Sequence, residues 1–283
     1  MPTDFKTTPQ PLAVSRSHVA TAVRLADRLH KRRFRADGDD CDEVPDVDGS
    51  PEEQAEEFRE TLYQEEINAG RIAIIEISGM LMRGCKGYEA WGFADYAVVA
   101  DAIQDADNDD NIDRIVLVVD SPGGGVMGAP ECAAAVASVN KPLLVFTSGM
   151  LCSAAYWITC SADMIVATPS ASVGSIGVYS PFWDTSGMMG QMGVEVQVFA
   201  SGEQKGAGFP GTSLTDAQAQ RIQNDVNAIA ADFQGEVLTH RPGVDLSLFD
   251  GRDVSGKEGE RLGLVDATAN DFAEAVNMFL AVY

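Results

Sequence analysis

From Arg71 onward the apolar positions fall into two alternating textures. Arg71–Ile77 (RIAIIEI), Arg114–Asp120 (RIVLVVD), Pro142–Thr147 (PLLVFT) and Met164–Thr168 (MIVAT) are short, nearly continuous apolar runs. Runs of that length without polar alternation fit strands buried on both faces. Between them, Phe93–Asp107, the Ala-rich Val126–Asn140 and Ser153–Ala162 carry apolar residues at helical spacing. Further on, Glu195–Ala200 reads as another strand and Thr215–Thr239 as a long helix. Leu262–Val265 reads as a short strand and Asn270–Val282 as a closing helix. Strands alternating with helices, with no internal repeat, predict an α/β fold with a largely parallel sheet.

The chain before this region has a different character. Residues 14–35 place Val19, Ala22, Val23, Ala26 and Leu29 at helical spacing, with Arg24, Arg28, Arg32 and Arg35 elsewhere on the wheel. This predicts a basic amphipathic arm over residues 1–36, read either as a solvated tail or as a docking arm for an acidic surface. Residues 37–66 are rich in Asp and Glu, with Pro and Gly, and read as an acidic flexible linker. Residues 67–283 remain as the globular domain.

Charge sharpens that division. The 283-residue chain carries a net −23, split as +6 in the arm, −13 in the linker and −16 in the body. An acidic body repels phosphate backbones, which excludes nucleic acid as a partner of the body but not of the arm. The five cysteines are odd in number and never spaced CxxC, and the three histidines lie far apart. Neither a disulfide framework nor a metal site is expected, and a reducing, cytoplasmic compartment fits. No apolar run reaches the roughly 18–20 residues that span a bilayer, and no apolar stretch follows the basic N-terminus as in a secretory signal. No cofactor and no membrane partner are therefore expected.

Two loops at strand ends carry the candidate chemistry. Ser121-Pro122-Gly123-Gly124-Gly125 sits at the carboxyl end of the second buried strand, immediately before a helix. Glycines there allow close backbone approach and outward N–H groups, although a tight structural turn would use the same residues. The loop is not a Walker A sequence, since no Gly-Lys-Ser/Thr follows. The second loop, Ser148-Gly149-Met150-Leu151-Cys152-Ser153, places Ser153 at the opening of the next helix. A serine there is either an N-cap or a nucleophile whose oxyanion meets the Ala154 N–H.

A nucleophilic serine needs a base, and no histidine lies within 80 residues of Ser153. A neutral lysine can serve. Its pKa must fall from about 10.4 to about 7–8, a difference of about 4 kcal/mol that burial can supply. Of the six lysines, Lys6 and Lys31 sit in the arm, while Lys141 and Lys257 read as solvated. Lys86, in a polar loop, stays open. Elimination favours Lys205, which follows a strand end among Gly202, Gly206, Ala207 and Gly208.

Six stretches in order resemble the signal peptide peptidase A family of serine peptidases. They are Asp120-Ser121-Pro122-Gly123-Gly124, Ser153 through Trp157, Ala162 through Ala167, and Gly174-Ser175-Ile176-Gly177-Val178. The last two are Ser201-Gly202 with Lys205, and Asp250-Gly251-Arg252 through Gly263-Leu264-Val265-Asp266. The resemblance implies a crotonase-like, Clp-protease-like fold. It implies a dyad of Ser153 as nucleophile and Lys205 as general base, with an oxyanion hole from the Gly124 and Ala154 N–H groups. Gly123, Gly174 and Ser175 would line the site, Ser175 being the rival nucleophile.

The substrate would be a protein or peptide, and the chain would assemble into a homo-oligomeric ring, the lysine coming from the same or a neighbouring subunit. The charged arm, without a membrane anchor, is similar to soluble phage and prophage versions. There scaffold or capsid protein is the implied substrate, in the host cytoplasm or prohead. Many family members have two glycines after the nucleophile where this chain has Ala154 and Ala155, which narrows the adjacent pocket. Met150, Leu151 and Val126 flank the site and suggest an apolar one. Two other readings remain: an acyl-CoA hydratase or isomerase using Glu131 and Asp163, and a non-catalytic assembly protein on the same fold.

Overall fold

The computed structural model describes residues 71–88 and 91–283. The basic arm over 1–36 and the acidic linker over 37–66 lie outside these residues, as does the start of the domain assigned to 67–283.

The central sheet has five parallel strands in the order β1 (Ile72–Ser78), β4 (Arg114–Asp120), β5 (Leu143–Thr147), β7 (Met164–Ala167) and β10 (Ala267–Thr268). Its strands are apolar on both faces because both faces are covered. Ile115, Leu117 and Val119 point into one core, which also contains the inner faces of α1 (Tyr96–Asn108), α2 (Ala129–Ala137) and α3 (Ala154–Thr159). Val116 and Val118 point into a second core with Ala275, Val276 and Phe279 of α7 (Phe272–Leu280). The α/β architecture with a parallel sheet is as the apolar runs predict.

Short strands extend from the carboxyl ends of the main sheet. β2 (Met80–Met82) pairs with β3 (Phe93–Asp95), and β6 (Met150–Cys152) pairs with β8 (Ser172–Gly174), which meets β9 (Asp253–Ser255) antiparallel. The Ser121–Gly125 stretch lies between β2 and β6 and bridges to both. The ends of α1 and α2 are set locally. Asp95 caps α1 through Ala97 N–H and also accepts from the N–H groups of Cys85 and Lys86. Gly128 precedes α2 in the left-handed region, where a Cβ would lie 2.9 Å from the Tyr96 ring.

Two expected strands are absent. Glu195–Ala200 has no regular structure, because its alternating residues lie in an exposed stretch with no neighbouring strand to complete a ladder. The Leu262–Val265 run instead closes α6 (Gly256–Arg261): Leu262 and Leu264 N–H groups donate to the carbonyls of Glu258 and Gly259. The strand that joins the sheet is Ala267–Thr268. α2 also begins later than its apolar pattern suggests, so three residues separate Gly125 from the helix.

The long helix α5 (Asp216–His240) opens with a capping box between Thr215 and Gln218. Its only buried side chains are Phe233 and Val237, so it is anchored at its C-terminal end. Arg241, just beyond, donates to the carbonyls of Cys160 and Ala162 and pairs with Asp266 at 2.8 Å. A short helix, α4 (Ser186–Gln191), lies between β8 and α5. Among the described residues no helix is long and apolar enough to cross a membrane.

The buried Tyr156 hydroxyl donates to the Leu264 carbonyl at 2.8 Å and ties α3 to the chain after α6. Tyr156→Phe leaves that carbonyl unpaired and is expected to cost about 1–3 kcal/mol. The urea midpoint should fall with an unchanged slope. Burial also pushes the Cys132 and Cys160 thiols up from 9.0 to about 12. The folded chain keeps these protons where the unfolded chain loses them. Stability is therefore complete below about pH 8.5 and declines as the pH rises toward about 12. Urea melts at about pH 7.5 and about pH 10 check this: the midpoint should be lower at the higher pH.

Candidate active site

Past Asp120 the chain runs on as an extended backbone wedged between two neighbours. Ser121 N–H donates to the Met150 carbonyl at 2.7 Å and Cys152 N–H donates to the Ser121 carbonyl at 3.2 Å. On the other edge, Leu81 N–H donates to the Gly123 carbonyl and Gly125 N–H to the Leu81 carbonyl, both at 2.9 Å. The Ser121 hydroxyl, fully buried, donates to the Gly79 carbonyl at 2.6 Å and accepts from Gly123 N–H at 3.1 Å.

Glycine is required at three points of this wedge. Gly123 has φ +94, and a Cβ there would lie 2.7 Å from Ser153 Cβ and 2.8 Å from Ala154 N. A Cβ on Gly124 would sit 1.8 Å from the Leu81 carbonyl oxygen, and one on Gly149 2.3 Å from Asp120 Oδ1. These distances are far inside van der Waals contact, so the Gly-rich segment lies flush against the turn that carries Ser153. The bridge to Leu81 uses the groups of Gly123 and Gly125. The Gly124 N–H is left without a partner among the described residues, as is the Ala154 N–H at the start of α3.

Ser153 occupies the N-cap position of α3, but its side chain makes no capping hydrogen bond. Its backbone sits at φ 52, ψ −125. Among the described residues only Ser153 and Ser175 combine a side chain with positive φ. Such a conformation costs on the order of 1–3 kcal/mol and persists only where the surroundings hold it. Here Ser153 N–H donates to the Gly174 carbonyl at 2.8 Å and the Ser153 carbonyl accepts from Trp157 N–H at 2.9 Å. Ser175 N–H is held in turn by the Arg252 carbonyl at 2.9 Å. The two strained serines thus lie on adjacent, hydrogen-bonded turns.

Beside Ser153 opens a small cleft of about 50 Å³. Gly124, Ser153 and Ala154 form its polar end, and Val126, Trp157 and Phe233 form apolar walls. The structure therefore brings together Gly123, Gly124, Ser153 and Ala154, with Gly174 and Ser175 behind them. Val126 lines the cleft, whereas Met150 and Leu151 do not. Phe233 escaped the sequence reading because it comes from α5, far along the chain, and its spacing reads only as a helix's buried face.

Lys205 lies elsewhere: it is exposed, in the turn after Ser201, and does not line the cleft. The remaining described lysines offer no better placement. Lys141 is engaged at the end of α1, donating to the carbonyls of Ala106 and Asp109, which corrects its reading as solvated. Lys86 and Lys257 are exposed, and Lys6 and Lys31 lie outside the described residues.

The neighbouring thiol is a poor nucleophile. Burial raises the Cys152 pKa, and its Sγ donates to the Ser172 carbonyl. The carboxylates of the hydratase reading are also misplaced. Asp163 accepts from Leu143 N–H at the entrance of β5, the end of the sheet opposite the cleft, and Glu131 is exposed in the first turn of α2. Among the described residues no group of three or more His, Cys, Asp or Glu could hold a metal ion.

Comparison with known proteins gives the family. Capsid assembly protease C of Escherichia phage lambda is 29% identical over 205 residues, covering 70% of this chain and 46% of that one. Protease 4 of Salmonella typhi is 36% identical over 217 residues, covering 73% and 34%. A protein of Methanocaldococcus jannaschii is 32% identical over 174 residues, covering 60% and 56%. The chain thus spans about half the length, or less, of these curated relatives. The family model for peptidase family S49 matches residues 135–279, from within α2 to the end of α7. A match over half the chain, which includes Ser153, shows that the chain belongs to peptidase family S49, a family of serine peptidases.

Proposed function

We propose that this chain is a serine endopeptidase with Ser153 as nucleophile and Lys205 as general base. The observation that carries the proposal is the backbone of Ser153: at φ 52, with no capping bond, its hydroxyl stands free beside the two unpartnered N–H groups. A serine kept in a strained turn without a structural bond to make has chemistry as its remaining use.

In the reaction, neutral Lys205 takes the Ser153 hydroxyl proton as Oγ attacks the scissile carbonyl carbon. The oxyanion forms between the Gly124 and Ala154 N–H groups. Lys205 then passes its proton to the leaving amine, and water, deprotonated by the same lysine, releases the acyl group and restores Ser153.

Lys205 is exposed in the single chain, whereas the proposed role calls for a buried lysine. Its surroundings favour burial by assembly. Tyr179, Trp183 and Phe199 are 86%, 82% and 93% exposed in the single chain, an apolar surface that oligomerisation would cover. We therefore take the dyad to form in a homo-oligomeric ring, with Lys205 of one copy meeting Ser153 of the next. The likeness to a capsid assembly protease supports scaffold or capsid protein as substrate, in the host cytoplasm or prohead.

Incubation with casein tests the dyad. Wild type should cleave, while Ser153→Ala and Lys205→Ala should be folded and at least a thousandfold slower. Full activity in Lys205→Ala would transfer the base role to Lys86, full casein cleavage by Ser153→Ala would transfer the nucleophile role to Ser175, and no cleavage by wild type, with scaffold or capsid protein processed equally in the presence of Ser153→Ala, would leave the chain a non-catalytic assembly protein. Mixing the two inactive variants should restore part of the activity, since intact sites then form between copies. A second measurement is the pH profile: cleavage should rise from about pH 6 to about pH 9 as the base loses its proton, and a flat profile sinks the neutral-lysine mechanism.

A further inference from the structure

The cleft beside Ser153 has a floor for which the dyad chemistry gives no role. Trp157 lies one helical turn beyond Ser153, and its ring stacks on Phe233 of α5 with centroids 4.8 Å apart and planes within 8°. Both rings are almost wholly buried, at 5% and 1% exposure, yet both border the cleft. A stacked pair inside a packed core does not swing aside without opening a void, so this floor is rigid. Val126, which follows the Gly-rich segment, and Val178 add apolar walls, the exposed Tyr179 stands at the rim, and no charged side chain lines the space.

We propose that the Trp157–Phe233 stack limits the substrate residue on the acyl side of the cleaved bond to short uncharged side chains, such as those of Ala, Ser and Val. The inference rests on Ser153 being the nucleophile and adds the substrate class that its site accepts. The carbonyl of that residue must lie between the Gly124 and Ala154 N–H groups, so its side chain enters the same cleft. About 50 Å³ holds roughly three or four water-sized groups. The reacting carbonyl takes part of that space, and a methyl, hydroxymethyl or isopropyl group fills the remainder. The side chains of Leu and Phe overrun it and meet the stacked rings. A charged side chain would lose its water without gaining a partner.

The test uses the full chain and a peptide series identical except at the acyl-side position, carrying Gly, Ala, Val, Leu, Phe or Asp. Cleavage at that bond is followed by mass spectrometry as kcat/KM. Wild type should favour Ala and Val over Leu and Phe by at least about tenfold. Phe233→Leu, which keeps an apolar anchor for α5, should raise Leu and Phe relative to Ala by about tenfold. Val126→Leu should instead lower Val relative to Ala. Ratios between peptides within one variant are independent of how much of that variant is folded. Unchanged ratios in both variants, or a wild type that prefers Phe, overturn the role of the stack. Cleavage that survives in Ser153→Ala overturns the nucleophile assignment and this inference with it, whereas loss in Ser153→Ala with unchanged ratios overturns the stack alone.

Discussion

The site depends on the approach of one backbone to another at Gly123. There the extended chain leaving β4 touches the turn between β6 and α3 so closely that no side-chain atom fits between them. Around this contact the chain is pinned from both edges, by Leu81 on one and by Met150 and Cys152 on the other. The buried Ser121 hydroxyl locks the segment internally. With the wedge in place, Gly124 and Ala154 border one cleft, and the Ser153 turn is held in a conformation it would not choose alone. α3, anchored by the Tyr156 hydroxyl and by the apolar packing of Trp157, keeps that turn from relaxing.

Much of this was legible along the chain, because the deciding signals are local. Strands apolar on both faces read as continuous runs, and all four of the main ones join the central sheet. The Gly-rich segment and Ser153 were visible as loops at strand ends, where open α/β sheets place their ligands. The choice between cap and nucleophile was not legible, since serine suits both. It turns on a backbone angle that composition does not encode. Phe233 was hidden for a different reason: its meeting with Trp157 joins two helices distant in sequence, and each pattern alone reports only a buried face. Glu195–Ala200 misled because alternation describes a strand's chemistry but not whether a neighbour exists to pair with it. Leu262–Val265 misled because a helix ending in a tight turn buries the same leucines a strand would.

The region between β8 and α5 differs in kind from the rest. It carries large apolar side chains in solvent, little regular structure and the one lysine that the sequence favours as a base. The body around the central sheet buries most of its large apolar side chains, whereas this stretch leaves Tyr179, Trp183 and Phe199 exposed. The proposed chemistry makes the same demand, since a base that must lose its proton near neutrality needs a drier setting than the single chain provides.

α5 joins these two regions, and the manner of its attachment has a thermodynamic consequence. Phe233 and Val237 are its only buried side chains, and Phe233 is also part of the floor of the cleft. The helix acts as a lever whose short arm is inside the site and whose long arm lies among exposed residues. If the proposed assembly seats a second copy on the exposed part of α5 and this shifts Phe233, then by reciprocity an occupant of the cleft shifts the affinity of the copies for one another by the same amount. Substrate fit and the proposed assembly would then be two readings of a single equilibrium, linked through one phenyl ring.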